Sequence, residues 1–252
     1  ISSHTTPISQ TTQLVQKRQY RHWYQKKTGW RYWKYQLFDR YNLPAEGVIY
    51  GLIASFVAVY ALKSFVPHFP DLAYSKGRSY LYLFTAIFDH ASLGHLFSNC
   101  LFIFFMGSMF PASVSAGAIL SIFVLGGAGA TLLSEAYSNF QANRALNQRN
   151  MLRYRIEQHS RSCGASGGIF ALLAVETLVM PFRPILFMGI VPMKSWVFLA
   201  ALLGFETYQI MAKEARWAAG APPAGTQIGN AAHVGGAIMG TAMYFVMRRF
   251  RL

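Results

Sequence analysis

Beyond residue 46 the chain alternates between long apolar runs and short polar breaks. Six runs stand out, at about 47–65, 93–110, 113–137, 164–180, 195–211 and 231–250. Pro111 closes the second and Pro181 follows the fourth. Each approaches the roughly 17–25 residues that an apolar helix needs to cross a bilayer. Backbone polar groups in lipid must be satisfied within their own segment, so runs of this length predict helices. The pattern predicts an all-α polytopic membrane protein, a bundle of six transmembrane helices over residues 47–252. Residues 183–194 are also apolar, but they are short and bounded by prolines. They read as a connector that dips into the bilayer without crossing it.

Composition supports a membrane setting. The chain is 53% hydrophobic and 13% charged, with a mean hydropathy of +0.26. Soluble domains carry about 25% charged residues, so too little charge is present here for a water-facing surface. The net charge of +14 invites a nucleic-acid partner, yet so low a charged fraction does not make a nucleic-acid-binding domain. A membrane surface, or an acidic partner at the basic ends, accounts for it better. Cys100 and Cys163 form neither a disulfide framework nor a metal pattern.

Residues 1–46 read as a basic, aromatic extramembrane arm. The first 38 residues contain no Asp or Glu and several Ser, Thr, Lys and Arg, the composition of organelle transit and post-transit segments. This points to mitochondria, with a basic cytosolic tail on a bacterial membrane protein as the alternative, and the missing initiator Met suits a processed chain or a fragment. Trp23, Trp30 and Trp33 interleave with Arg21, Lys26, Lys27 and Arg31, a mixture suited to an anionic headgroup layer. A second basic stretch, 138–162, is long for a helix connection. It holds Arg144, Arg149, Arg153, Arg155 and Arg161 among Leu146, Met151, Leu152 and Ile156, which suggests an interfacial amphipathic turn or helix. It leads into the fourth run and is placed to gate it. Both basic stretches suit docking to a larger inner-membrane complex. Lys and Arg divide nearly evenly between the two sides, so charge sets no firm orientation.

Polar groups inside spans are costly and therefore candidates for function. Ser166 opens the fourth run, where unpaired backbone N–H groups at a helix N-terminus can hold an oxyanion. His233 opens the sixth run, and His95 and Asn99 open the second. An alternating topology puts the starts of runs two, four and six on one side, so these four residues share a depth. His95 and Asn99 are four apart and share a helix face. Gly164 and Gly168 flank Ser166, while Gly236 and Gly240 fall on the His233 face. Such glycines let runs four and six approach closely, as a Ser166–His233 hydrogen bond requires. His233 then serves as general base, with His95, Asn99 and the Ser166 backbone N–H as the oxyanion hole. Phe170, one turn after Ser166, is placed to stack on the imidazole. No acidic residue near His233 in sequence offers to orient it. Glu176 and Glu206, within runs four and five, read as buried structural acids.

Gly164-Ala165-Ser166-Gly167, Ala232-His233 with Gly236 and Gly240, and His95 with Asn99 together resemble the rhomboid intramembrane serine proteases, in family order. The Gly-Ala-Ser-Gly and Ala-Ala-His forms most resemble the mitochondrial branch. Many members carry Tyr where Phe170 stands, and the Trp-Arg pair common in the first loop is missing here. The resemblance implies a six-helix core with Ser166 as nucleophile, His233 as base, and His95 and Asn99 as oxyanion donors. It implies cleavage of single-span membrane substrates near the bilayer surface, in the mitochondrial inner membrane, with no metal or cofactor. The alternative is a catalytically silent rhomboid-fold subunit or scaffold of a larger complex. A transporter would show internal repeats, and the two halves share none.

Overall fold

Every one of the six apolar runs carries a helix in the computed structural model, which describes residues 45–107, 114–187, 191–221 and 229–250. Helix α1 is Ala45–Phe65, followed by strand β1 (Tyr74–Ser75), short helix α2 (Tyr82–Thr85) and a 3-10 turn at Ala86–Phe88. Helices α3 (Leu93–Gly107), α4 (Ala116–Asn147) and α5 (Met151–Gln158) follow, then β2 (Arg161–Ser162) and α6 (Ser166–Val179). The hairpin β3–β4 (Pro184–Phe187, Val191–Lys194) leads to α7 (Ser195–Ala218), and α8 (Asn230–Phe250) closes the fold. Leu43–Leu252 form one compact unit. The arm lies outside the described residues except at its end, where Ala45 begins α1.

Among the described residues, three helices are long and apolar enough to cross a membrane: Gly47–Phe65, Ala116–Asn147 and Ser195–Ala218. Leu93–Met106 and Ser166–Val179 are apolar but shorter among the described residues. In α6 the helix starts only at Ser166 and ends before Pro181, which excludes the helical conformation from its preceding residue.

α6 sits at the centre. Gly167 through Thr177 are all buried, because α8 and α4 close on it from different directions. The core around it includes Phe56, Ile87, Ile119, Phe123 and Leu172. Small residues set the spacing. A Cβ on Gly236 would land on the Gly167 carbonyl oxygen, and one on Gly240 on that of Ala171. The α6–α8 seam therefore runs through Gly167 and Ala171, one turn apart. The expected use of Gly164 and Gly168 in that seam is corrected here. Gly168 lies about 100° further round the helix and meets Phe123 of α4, where a Cβ would stand 2.5 Å from the carbonyl oxygen. Gly164 precedes the helix altogether. We expect Gly236→Val to push α6 and α8 apart and destabilise the fold by about 3 kcal/mol, as overpacking does. Thermal unfolding in nanodiscs would read this against Gly204→Ala, where the added Cβ meets nothing within 4 Å.

Two connectors take definite form. The stretch 138–162 is not one long loop. α4 continues to Asn147, since 138–147 contain good helix formers and neither Gly nor Pro. A turn with Arg149 at φ 58° then enters α5, whose Asn150 side chain accepts from the Arg153 N–H at 3.0 Å and caps the helix. At 1.5 Å per residue the 32 residues of α4 reach about 48 Å, well beyond a hydrocarbon core of roughly 30 Å. Its polar end therefore projects. The stretch 183–194 forms an antiparallel hairpin, with Pro184 opposite Lys194 and Ile185 opposite Met193. A hairpin satisfies the backbone of a segment too short to cross as a helix.

Candidate active site

Backbone geometry brings Ser166 to the mouth of α6. β2 pairs with β1, Tyr74 opposite Ser162, and the Gly164 N–H donates to the Ala86 carbonyl at 2.8 Å. Gly164 adopts φ 112°, and a Cβ there would stand 2.5 Å from His95 Cε1 and 2.7 Å from Nε2. Only glycine meets both demands, the positive φ and the imidazole lying against the backbone. No side chain caps α6, and Ala165 is already helical. The first-turn N–H groups are thus free of a side-chain competitor.

Ser166 Oγ lies 2.8 Å from His233 Nε2, across the α6–α8 seam. Phe170 stacks flat on the imidazole, with ring centroids 4.7 Å apart and planes 6° apart. Phe170 continues into a stack with Phe102 of α3, and Phe102 with Phe198 of α7. Three helices therefore fix the orientation of one ring.

An acid that sequence reading left aside stands on the far side of that ring. Glu206 of α7 is buried, and its Oε1 is 2.8 Å from His233 Nδ1. Oε2 accepts from Asn230 Nδ2. The carboxylate sits off the Nδ1–H axis, because Nδ1 has ion-pair contact without an aligned hydrogen bond. Glu206 is thus buried and bonded to a neighbouring helix, as a structural acid would be, and it also touches the His233 imidazole. Glu176 fits the structural reading: Ser195 Oγ donates to its Oε2 at 2.7 Å, and Thr177 Oγ1 is 2.8 Å from the same hydroxyl. These bonds join the ends of α6 and α7 remote from Ser166.

His95 and Asn99 take less direct places. The His95 ring reaches the Ser166 segment through Gly164 and meets His90 edge-on at 5.1 Å. Asn99 is buried, and its Nδ2 donates back to the His95 carbonyl at 2.9 Å. One amide hydrogen of Asn99 thus serves the helix and one remains. Among the described residues, no three His, Cys, Asp or Glu side chains are grouped to hold a metal.

His90 is 1% exposed, with Nδ1 3.2 Å from the Phe88 carbonyl and Nε2 unpartnered. Burial, and then the neighbouring His95, push it down from 6.5 to about 4. The unfolded chain therefore binds this proton at a higher pH than the folded chain. Stability falls as pH drops from 6.5 towards 4, by about 3 kcal/mol for this group, and is unaffected by it above 6.5. Unfolding midpoints at pH 7 and pH 4.5 should differ less in His90→Gln than in the unchanged protein.

A family model described as the Rhomboid domain matches residues 77–250. A curated relative from Arabidopsis thaliana, "RHOMBOID-like protein 12, mitochondrial", is 20% identical over 236 residues, which cover 90% of this chain. The chain spans 64% of that relative's length.

Proposed function

The chain belongs to the rhomboid family, and on that premise we propose that it is an intramembrane serine endopeptidase cleaving single-span membrane proteins. The observation that carries this reading is the 2.8 Å contact between Ser166 Oγ and His233 Nε2, held under the Phe170 ring. In the proposed reaction His233 Nε2 takes the hydroxyl proton as Ser166 Oγ attacks the scissile carbonyl. The oxyanion is met by the Ser166 backbone N–H, His95 and the remaining Asn99 amide hydrogen. The protonated His233 then donates to the leaving amine, and an acyl ester remains on Ser166. Water attacks that ester with His233 again as base, and Oγ is released with its proton restored.

Glu206 joins this scheme as the group that keeps the proton of the resting ring on Nδ1 and offsets imidazolium charge. The proposed topology has all six helices crossing. It is supported by the central place of the short α6, whose ends need not reach lipid, and by the even number of apolar runs. The mitochondrial inner membrane is the proposed location, supported by the acid-free first 38 residues and the relative's printed name. Reconstitution into liposomes with a panel of tagged single-span proteins tests the activity. The expected result is a new fragment cut near the lipid surface. A panel left intact by the unchanged chain, but cut by an active rhomboid run beside it, would favour the silent subunit.

A further inference from the structure

The inner face of α7 extends beyond Glu206 into a second polar layer. Lys213 and Trp217 lie seven and eleven residues on, the spacing of one helix face. Glu214 stands about 12 Å further along the axis than Glu206. Arg153 of α5 faces this layer and is 3% exposed. Its Nη2 donates to Glu214 Oε1 and, at 2.9 Å, to Gln141 Oε1 of α4. Its guanidinium also lies over the buried Trp217 ring. Around this centre Arg144 Nη1 is 3.6 Å from Glu214 Oε2, and Lys213 Nζ is 3.2 Å from Glu157 Oε1. Gln141 in turn donates to the Tyr137 hydroxyl at 2.7 Å.

α7 needs such a hold. Only 17% of its apolar window is buried, against 56% for α4. One end is tied through Ser195 to Glu176, and its middle meets His233 through Glu206. The other end is fixed to α4 and α5 by the Arg153 layer. α5 is itself seven residues from α6, so one guanidinium connects the helix bearing Glu206 with the segment leading to Ser166.

Resting on the protease reading, we propose that Arg153 is a positioning residue: by clamping the outer half of α7 to α4 and α5 it holds Glu206 against His233. Removing the clamp lets the outer half of α7 swing, and Glu206 leaves the imidazole. A displacement near 1 Å at a catalytic group can lower a rate about 100-fold.

The test measures fluorophosphonate modification of Ser166 in nanodiscs, together with hydrogen exchange along α7. Arg153→Met and Glu214→Gln should each slow bond formation by about 10- to 100-fold without weakening reagent binding. Arg153→Lys, which keeps the charge but loses the planar fork, should recover only part of the lost rate. In a Glu206→Gln background, Arg153→Met should add less than about twofold, since both act through one contact. Exchange should quicken across residues 206–217 in Arg153→Met and stay unchanged across 236–245. Should Arg153→Met not fold, Glu214→Gln carries the same comparisons. Full multiplication of the two penalties, or modification at the unchanged rate in both clamp variants, overturns the proposal. If the unchanged protein does not react at all, the protease reading fails. The clamp is then judged by exchange alone, and unaltered protection of 206–217 overturns it.

Discussion

Ser166→Ala is expected to lower cleavage in liposomes by on the order of 10⁴-fold or more, the effect of removing a nucleophile from a working serine site. The change deletes one oxygen at a partly exposed position. Among the described residues that hydroxyl bonds to His233 Nε2 alone, so the fold loses little. A hydrogen bond of this kind contributes about 1 kcal/mol net, and the seam between Gly167 and Gly236 is untouched. The unfolding midpoint should therefore stay within a few degrees while activity vanishes. His233→Ala should match it in activity but lose more stability, because it also empties the space under Phe170. Cleavage persisting in purified Ser166→Ala would remove the nucleophile from this account.

Glu206→Gln should have the next largest effect, about 10³-fold on the turnover rate with little change in substrate affinity. Its basis is tautomer control. With a carboxylate beside Nδ1, the neutral ring keeps its proton there and leaves Nε2 able to accept from Ser166. A glutamine presents an amide hydrogen to Nδ1 and drives the proton to Nε2, which then cannot act as base. Glu206 Oε2 accepts from Asn230, so the replacement keeps shape and a partner and tests charge and tautomer more than packing. Glu206→Asp should recover part of the rate, since a carboxylate remains within reach of a ring that Phe170 already holds. A rate within threefold of the unchanged protein would show that His233 works without the acid.

Depth and spacing made much of this site legible before any fold was known. Ser166 and His233 open alternate apolar runs, and the proposed six-crossing topology puts them on one side of a membrane. Phe170 is one turn from Ser166, and its stack on His233 follows from the same helix geometry. Glu206 was legible by the same logic but was not drawn out. In the proposed topology run five ends on the side where run six begins, and Glu206 lies five residues before residue 211, much as His233 lies three residues into run six. Attention to nearness along the chain hid it, because the acid belongs to a different helix. Which glycine meets which helix was not legible. Gly164 lies before α6, Gly167 and Gly168 differ by rotation about its axis, and their separate contacts with His95, Gly236 and Phe123 depend on how the helices pack. The polar layer around Arg153 was concealed for a related reason. Its members come from α4, α5 and α7, and each alone resembles an ordinary exposed charge. Helix length misled in the other direction. The apolar count runs through Gly164 to Met180, while α6 occupies only Ser166–Val179.

The central claim is that one hydroxyl in this bundle is activated by one imidazole. Intact-protein mass with peptide mapping after fluorophosphonate treatment addresses it most directly. The account predicts a single adduct on Ser166, lost in Ser166→Ala and in His233→Ala while both variants remain folded. An adduct of equal yield in Ser166→Ala, or none on a folded unchanged protein, would contradict it.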